Sequence, residues 1–344
     1  MNYRSIIAAL VAGTMLAGCG QAATASNEAS PSSFGVSAAR IAYSAPNART
    51  AKLFVANCHD VTAYEVPTGQ YLKALGKAPD DGRTLYVTHN GQVLVGIDGG
   101  SEIRIYGSKK RRLQNLKVEN PWAMTQDLAG DLFVLSRGHA VYEYAPGASE
   151  PYDPTPVRTI TTDIKGATSI VVDSSGYLYV ANWERGGKMT VPVFAPGGDS
   201  PTRTISDGIS APYSLALDAS GNIYVGNYGP PSTVTVYAAG TTTLTHTITS
   251  DVNEPIDLAF DSSGNLYVAN NQNYGVSVYA AKTFEQIRSI PTGSPGGLAF
   301  DDSGNLYIGN FYANSVSVYP PGSSTPAQTI TQNVCYPTDV AIQQ

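Results

Sequence analysis

Charged residues are scarce in this chain. They make up 14% of its 344 residues, and 21 Lys and Arg stand against 27 Asp and Glu, which gives a formal net charge of -6. A protein that neutralises a phosphate backbone needs a basic face, and this composition does not supply one. Nucleic acid is therefore not an expected partner.

Histidine is rare, and the short motifs that identify many enzymes are absent. The sequence contains no Gly-x-Ser-x-Gly, His-Glu-x-x-His or Cys-x-x-Cys motif and no Gly-rich phosphate loop. Of its four histidines, His59 and His139 fall in loops of the same predicted face. Two loop histidines do not form a metal or catalytic set, and we expect them to be exposed to solvent.

The N-terminus has an apolar run, residues 6–16, that is too short for a transmembrane helix. The run follows Arg4 and precedes Leu16-Ala-Gly-Cys19, an order typical of a signal peptide. Leu-Ala-Gly-Cys resembles the lipobox of bacterial lipoproteins, which implies a lipid on Cys19, export and a membrane anchor in the cell envelope. Gly20 in place of Asp favours the outer membrane, if the cell has one. An ordinary secretory signal with a chance cysteine is the alternative.

Seven short segments of the chain are nearly identical. Their first residues are separated by 41, 38, 46, 45, 43 and 40 residues. A repeat of this length that contains only strand signals is typical of a four-stranded propeller blade. The segments begin at Leu53, Leu94, Leu132, Leu178, Ile223, Leu266 and Leu306. We predict an all-β fold, a seven-bladed β-propeller over residues 37–344, preceded by a signal peptide (1–18) and a flexible tether (19–36).

The unit with the clearest pattern predicts four strands, A to D, at Pro212–Asp218, Ile223–Asn227, Val234–Tyr237 and Thr245–Ile248. Asp-x-Ser-Gly-Asn between strands A and B predicts a tight hairpin, in which the acid accepts hydrogen bonds from turn amides and Gly has a positive φ. Calcium loops carry further acids and a bidentate Glu, which this turn lacks.

The two ends of the chain have complementary gaps. Proline opens strand A eleven residues before several strand B segments, and the same pattern at Pro337 has no strand B after it. The first segment, at Leu53, has no convincing strand A before it. We therefore predict that the C-terminal strand completes the N-terminal blade and closes the ring. The alternative is that Arg40–Ser44 supplies the missing strand.

Apart from Cys19, the chain has only Cys58 and Cys335. Cys58 follows strand B of the first blade and Cys335 precedes the C-terminal strand A, so both fall on the same face of one blade. Export to an oxidising compartment permits a disulfide between them. Two unpaired thiols are the alternative.

Aromatic side chains collect at the ends of strand B and the starts of strand A. Loops at this end, B–C and D–A, form the face on which a rigid scaffold presents variable residues. Aromatic rings there are suited to stack on a sugar or clasp a peptide, or else to pack on neighbouring loops. The candidate binding residues are Trp122, Arg137, Trp183, Tyr213, Tyr228, Phe311 and Tyr336. The residue that ends strand B, Asn in five blades, is interpreted as a cap for turning backbone.

Acidic residues form a second candidate site at the channel mouth. Asp257 and Asp339 occupy equivalent positions on strand A, and Glu254 precedes Pro255. They flank the blade that carries Gly296 and Gly297, where missing side chains are expected to leave space. Carboxylate oxygens suit a divalent cation, calcium above all, or they accept hydrogen bonds from loop amides or water.

The repeated Asp-x-Ser-Gly-Asn-Leu-Tyr-Val-Ala-Asn, followed by Val-x-Val-Tyr and Arg/Gln-Thr-Ile, resembles NHL-repeat and YVTN-type bacterial β-propellers. These include gluconolactonase-like and virginiamycin B lyase-like branches, and the resemblance extends from near residue 50 to the end. The lactonase-like branch implies a Glu, Asn and Asp metal set, which here matches only Asp257, Asp339 and Glu254. The lyase-like branch implies channel histidines, and strand A here has none.

These observations predict a membrane-tethered, exported propeller that acts as a non-enzymatic binding scaffold. Its partner is a protein, peptide or glycan on the B–C/D–A loop face. The alternative is a metal-dependent, lactonase-like hydrolase or lyase that uses the acidic channel mouth.

Overall fold

Short antiparallel strands account for all the regular secondary structure in the computed structural model, which describes residues 51–77, 82–97, 100–107, 112–137, 139–147, 151–184, 186–271 and 274–343. In these segments no helix of the length and apolar character of a membrane span is found. The predicted signal peptide, tether, lipidation site Cys19 and alternative strand Arg40–Ser44 lie outside the described residues.

The strands follow one another at nearly regular intervals. In chain order they are β1 Lys52–Ala56, β2 Asp60–Glu65, β3 Tyr71–Lys77, β4 Gly82–Val87, β5 Val93–Ile97, β6 Glu102–Tyr106, β7 Arg112–Lys117, β8 Pro121–Gln126, β9 Leu132–Ser136, β10 Ala140–Tyr144, β11 Arg158–Ile160, β12 Ala167–Val172, β13 Leu178–Asn182, β14 Val191–Phe194, β15 Pro201–Ile205, β16 Pro212–Leu217, β17 Ile223–Asn227, β18 Thr233–Tyr237, β19 Leu244–Ile248, β20 Pro255–Phe260, β21 Leu266–Asn270, β22 Val276–Tyr279, β23 Gln286–Ile290, β24 Pro295–Phe300, β25 Leu306–Asn310, β26 Ser315–Tyr319, β27 Gln328–Ile330 and β28 Asp339–Gln343.

The strands form seven four-stranded antiparallel sheets, so the predicted β-propeller is confirmed. Blades 2 to 7 each use four consecutive strands, beginning at β4, β8, β12, β16, β20 and β24. Blade 1 has the order β28-β1-β2-β3. The first strand of every blade, strand A, contacts strand A of both neighbouring blades, so the seven A strands make a closed ring around the channel.

Blade 1 joins the two ends of the chain, consistent with the complementary gaps in the sequence. β28 pairs antiparallel with β1, and Val340 lies opposite Val55. The predicted disulfide is present in the same blade: Cys58 and Cys335 are bonded, with their Cα atoms 5.5 Å apart. The backbone N–H of Cys58 also donates to the carbonyl of Cys335 at 2.9 Å. Covalent and hydrogen bonds therefore join the first and last segments of the propeller on one face.

The turn between strands A and B is organised by its aspartate, as the sequence predicts. Asp218 Oδ1 accepts the backbone N–H groups of Ser220 (2.8 Å) and Asn222 (2.9 Å), and its Oδ2 accepts Asn222 Nδ2 at 2.8 Å. Gly221 has a φ of 81°, which a side chain would oppose. The carboxylate is thus a structural part of the hairpin.

Adjacent blades meet through a small residue and a proline. A Cβ added at Gly226 of β17 would lie 2.3 Å from Ser214 Oγ and 3.4 Å from Cβ of Pro255 in the next blade. Gly96 stands in the same relation to Thr84 and Pro121. The proline that opens strand A therefore packs on strand B of the preceding blade.

Tyrosine at the end of strand C adds a polar bond between blades, which the sequence pattern did not indicate. Tyr237 Oη donates to the carbonyl of Asp207 at 2.5 Å, in the loop that leaves blade 4. Tyr64 makes the equivalent bond to Gln332 at 2.7 Å, across the seam from blade 7. Each ring is fully buried, so its hydroxyl needs such a partner.

Candidate functional site: the loop face and the channel mouth

The asparagine that ends strand B fixes the start of the loop face. Asn227 is fully buried. Its Oδ1 accepts the N–H of Ser210 at 2.9 Å, and its Nδ2 donates to Thr233 Oγ1 (3.0 Å) and Thr235 Oγ1 (3.1 Å). One amide thus ties the D–A loop, strand B and strand C together, which confirms its interpretation as a cap.

The residue before strand A holds the next loop position. In blades 3 to 7 this residue has a positive φ, between 40° and 57°, and in blade 1 Tyr336, which precedes Pro337, has a φ of 41°. Its carbonyl usually accepts the N–H of the residue after the strand B cap: Ala211 accepts Tyr228 at 2.9 Å and Ser294 accepts Phe311 at 3.0 Å. The backbone that carries the aromatic side chains is therefore fixed on both sides.

Three predicted binding residues form one aromatic cluster on blades 4 and 5. The ring centroids are 6.0 Å apart for Trp183 and Tyr213, 5.5 Å for Trp183 and Tyr228, and 5.4 Å for Tyr213 and Tyr228. Tyr213 is buried, whereas Trp183 and Tyr228 are half-buried. The outer two rings are thus accessible and rest on the third.

The aromatic cluster is joined to blade 6 by polar contacts. Asn271 Nδ2 donates to Tyr228 Oη at 2.7 Å and to Glu254 Oε2 at 3.1 Å. Burial, and next the hydrogen bond to the Glu254 carboxylate, raises the pKa of Tyr228 to about 12. The phenol therefore stays neutral at physiological pH. Glu254, proposed from sequence as a metal ligand, here contacts this cluster.

Arg137 and Trp122 form a separate pair on blade 3. The guanidinium carbon of Arg137 lies 4.4 Å from the centroid of the Trp122 ring, a cation–π geometry. Trp122 Nε1 donates to the carbonyl of Thr168 at 2.9 Å, and the indole is only 4% exposed. Trp122 therefore packs mainly between blades 3 and 4, and the exposed part of this pair is Arg137.

Phe311 and Tyr336 meet at the seam between blades 7 and 1. Their ring centroids are 5.2 Å apart, and Phe311 also contacts Tyr312 at 5.1 Å. Tyr336 is 45% exposed and Tyr312 62% exposed. Tyr312 was not selected from the sequence, although its place directly after Phe311 in the B–C loop is a signal that indicates the same face.

Asp257 and Asp339 act as equivalent braces between neighbouring A strands. Asp257 Oδ1 accepts the N–H of Leu258 and its Oδ2 the N–H of Leu298 in blade 7, both at 2.9 Å. Asp339 Oδ1 accepts the N–H of Val340 at 2.8 Å and its Oδ2 that of Leu85 in blade 2 at 3.0 Å. Each carboxylate, at most 2% exposed, is thus oriented by two backbone amides.

The expected space at the glycine blade is filled. A Cβ at Gly296 would lie 2.5 Å from the carbonyl oxygen of Pro337, and one at Gly297 would lie 2.8 Å from Asp339 Oδ1. The glycines therefore allow blade 1 to approach blade 7, and the prediction of a gap there was wrong. Within the described residues, no three His, Cys, Asp or Glu side chains are grouped to hold a metal ion.

Replacing Asp257 by Ala should destabilise the fold because two buried N–H groups lose their acceptor. We expect the free energy of unfolding to fall by about 2–4 kcal/mol, measured by urea denaturation. Asp302→Ala, which removes an exposed carboxylate from a turn, is the matched control. The loss should be equal in calcium and in EDTA. A loss seen only with calcium present would show that the carboxylate holds a metal instead.

Comparison with known proteins is informative about architecture. No protein-family model matches the chain, and no curated protein sequence does. A chain in the crystal structure of a mitotic checkpoint complex has a TM-score of 0.67 at 15% sequence identity, over 78% of this chain and 86% of its own length. A chain of Kuenenia stuttgartiensis hydrazine synthase has a TM-score of 0.67 at 16% identity, over 84% and 96%. The shared feature is the β-propeller fold. At such identities the structural similarity does not indicate a shared activity, so function must be argued from the site.

Proposed function

We propose that this propeller is an exported, lipid-anchored binding scaffold of the cell envelope and that its ligand, a protein, peptide or glycan, binds the B–C/D–A loop face. The main support is the set of aromatic side chains on that face, of which Trp183, Tyr228, Phe311 and Tyr336 are accessible. Accessible aromatic rings on rigid backbone provide contact area at little cost in conformational entropy.

Two further observations support export. Leu16-Ala-Gly-Cys19 follows an apolar run of signal-peptide length. The disulfide between Cys58 and Cys335 is of a kind that persists in oxidising compartments.

We expect Cys19→Ser to move the protein from the membrane fraction to the soluble fraction, read by fractionation and mass spectrometry of the mature N-terminus. Retention of the variant in membranes would contradict the lipid anchor.

We favour a binding role over metal-dependent hydrolysis or lyase chemistry because the carboxylates at the channel mouth already accept backbone hydrogen bonds. Asp257 and Asp339 each have both oxygens so engaged. A cation bound to these oxygens would have to share them with the amides that join neighbouring blades.

Binding can be followed by intrinsic fluorescence because Trp183, one of the chain's two tryptophans, is half-buried on the loop face, whereas Trp122 is buried between blades 3 and 4. We would titrate the purified chain with separate peptide and polysaccharide fractions of the cell envelope. Saturable change in emission, reduced in Trp183→Phe and in Tyr228→Ala, is expected with at least one fraction. Chemical breakdown of a fraction without saturable binding would favour the enzyme instead.

A further inference from the structure

The loop face is divided by charge. In the B–C loops of blades 6 and 7 and the D–A loops that enter blades 7 and 1, no residue is Asp, Glu, Lys, Arg or His. The described residues of these four loops, 271, 274–275, 291–294, 311–314 and 331–338, are called the neutral sector. Between blades 2 and 6, the described loops of this face carry nine Asp, Glu, Lys or Arg residues: Glu119, Arg137, Asp163, Lys165, Glu184, Lys188, Asp207, Asp251 and Glu254. The B–C loop of blade 5 carries none of them.

The neutral sector contains the three most exposed aromatic side chains among the residues that the structure describes. Phe311, Tyr312 and Tyr336 are in continuous ring contact, with centroids 5.1 and 5.2 Å apart, and we call them the aromatic platform. Tyr312 is 62% exposed and Tyr336 45% exposed. Tyr274, in the adjacent B–C loop of blade 6, is 55% exposed. Exposed aromatic residues gathered in adjacent loops usually mark an interaction site.

The platform is held in place before any ligand binds. The N–H of Tyr336 donates to Asn314 Oδ1 at 2.7 Å, which joins the two loops. The Phe311 N–H donates to the carbonyl of Ser294. Cys335, the residue before Tyr336, is bonded to Cys58. A preorganised surface loses little conformational entropy on binding.

The chemistry around the platform favours one ligand class. The neutral sector itself offers aromatic faces, phenol hydroxyls and the amides and hydroxyls of Asn, Gln, Thr and Ser. Ionisable side chains lie at its borders: His59 and Asp60 follow Cys58 in blade 1, and Glu254 accepts a hydrogen bond from Asn271. A pyranose ring has an apolar C–H face that can lie on an aromatic ring and hydroxyl groups that both donate and accept hydrogen bonds. Acidic polymers and charged peptides would find no opposite charge in these loops. Because electrostatic complementarity sets the preference among partners, they are not the favoured ligands.

We propose that the aromatic platform binds a neutral polysaccharide by stacking of sugar rings on Tyr312 and Tyr336. This inference rests on the proposed role of the loop face and specifies its ligand class and position. The charged loops of blades 2 to 6 and the rings of Trp183 and Tyr228 are not required for this interaction.

The test is affinity electrophoresis of the purified full-length chain in detergent. Native gels would contain neutral polymers (xylan, mixed-linkage β-glucan or galactomannan), charged polymers (polygalacturonate or alginate) or casein as a protein probe. The variants are Tyr312→Ala, Tyr336→Ala and the two combined. Leu128→Ala removes an exposed side chain from an A–B turn, on the opposite face, and is the control.

We expect retardation by at least one neutral polymer and a dissociation constant raised at least about tenfold in the combined variant, because both stacking surfaces are removed. Leu128→Ala should bind like the parent chain. Thermal unfolding of the combined variant should stay close to that of the parent, since Tyr312 is 62% and Tyr336 45% exposed.

Three results would overturn the proposal: no retardation in any neutral gel, equal retardation of the combined variant, or retardation only by the charged polymers or casein. If the loop face binds a different ligand, the fluorescence response of Trp183 persists in Tyr312→Ala/Tyr336→Ala. The scaffold function would then stand while the ligand class fails. If the parent chain shows neither retardation nor a fluorescence response, the scaffold function and the ligand class are both contradicted.

Discussion

Deleting residues 339–344 should abolish cooperative folding of the propeller. The deletion removes strand A of blade 1, exposes the edge of β1 and opens the ring. Val340 and Ile342 are at most 8% exposed, and loss of their burial would remove about 3–6 kcal/mol of folding free energy. This loss is comparable with the whole stability of many domains, about 5–15 kcal/mol. Calorimetry should show no sharp transition, and the exposed strand edge should promote aggregation.

A circular permutant is the matched control for this deletion. Ile342 lies opposite Leu53 in the same register as Phe260 opposite Leu266, where Asp-Ser-Ser-Gly-Asn makes the turn. Joining Ile342 to Leu53 through that turn, and opening the chain between Lys77 and Gly82, keeps every strand pair. We expect this permutant to unfold cooperatively. A truncated chain that still melts sharply near the temperature of the parent would show that closure is unnecessary.

Replacing both Cys58 and Cys335 by Ser should give the second large effect. The disulfide joins residues 277 apart in sequence. Without it, this long loop of the unfolded chain is no longer closed, so the conformational entropy of the unfolded state rises. Removal of a native disulfide typically costs about 2–5 kcal/mol. Urea denaturation should therefore show a clear fall in the midpoint, although β28 still pairs with β1.

Reductant distinguishes this effect from a packing defect. Dithiothreitol should lower the midpoint of the parent chain towards that of the double Ser variant and leave the variant unchanged. If the parent chain and the variant unfold at the same midpoint under oxidising conditions, the disulfide does not stabilise the fold. The position of Tyr336 beside Cys335 also makes polysaccharide retardation a second readout of reduction.

Much of the architecture follows from local sequence because each repeat contains its own hairpins. Asp-x-Ser-Gly-Asn determines the A–B turn through hydrogen bonds within five residues, and this is visible in Asp218 and Asn222. The seam was also predictable, since Pro337 marks a strand A without a strand B. The bond from Tyr237 to Asp207 was not, because it depends on the distance between neighbouring blades.

The candidate site was only partly predictable for the same reason. Sequence placed Trp183, Tyr213 and Tyr228 at one face, and the structure brings their rings into contact. It did not show that Tyr213 is buried, which depends on side chains from adjacent blades. Likewise, the acid at 257 could be located on strand A, but its bond to Leu298 arises only when two blades meet.

The pairing of Lys52 with Gln343 has a consequence for how the propeller is presented to its surroundings. This pair lies at the end of blade 1 where other blades have the A–B turn, opposite the loops that contain Cys58 and Tyr336. The first described residue, Ala51, therefore leads into the ring from the face of the A–B turns. The tyrosine-bearing side thus remains clear of the point at which the described chain enters the propeller.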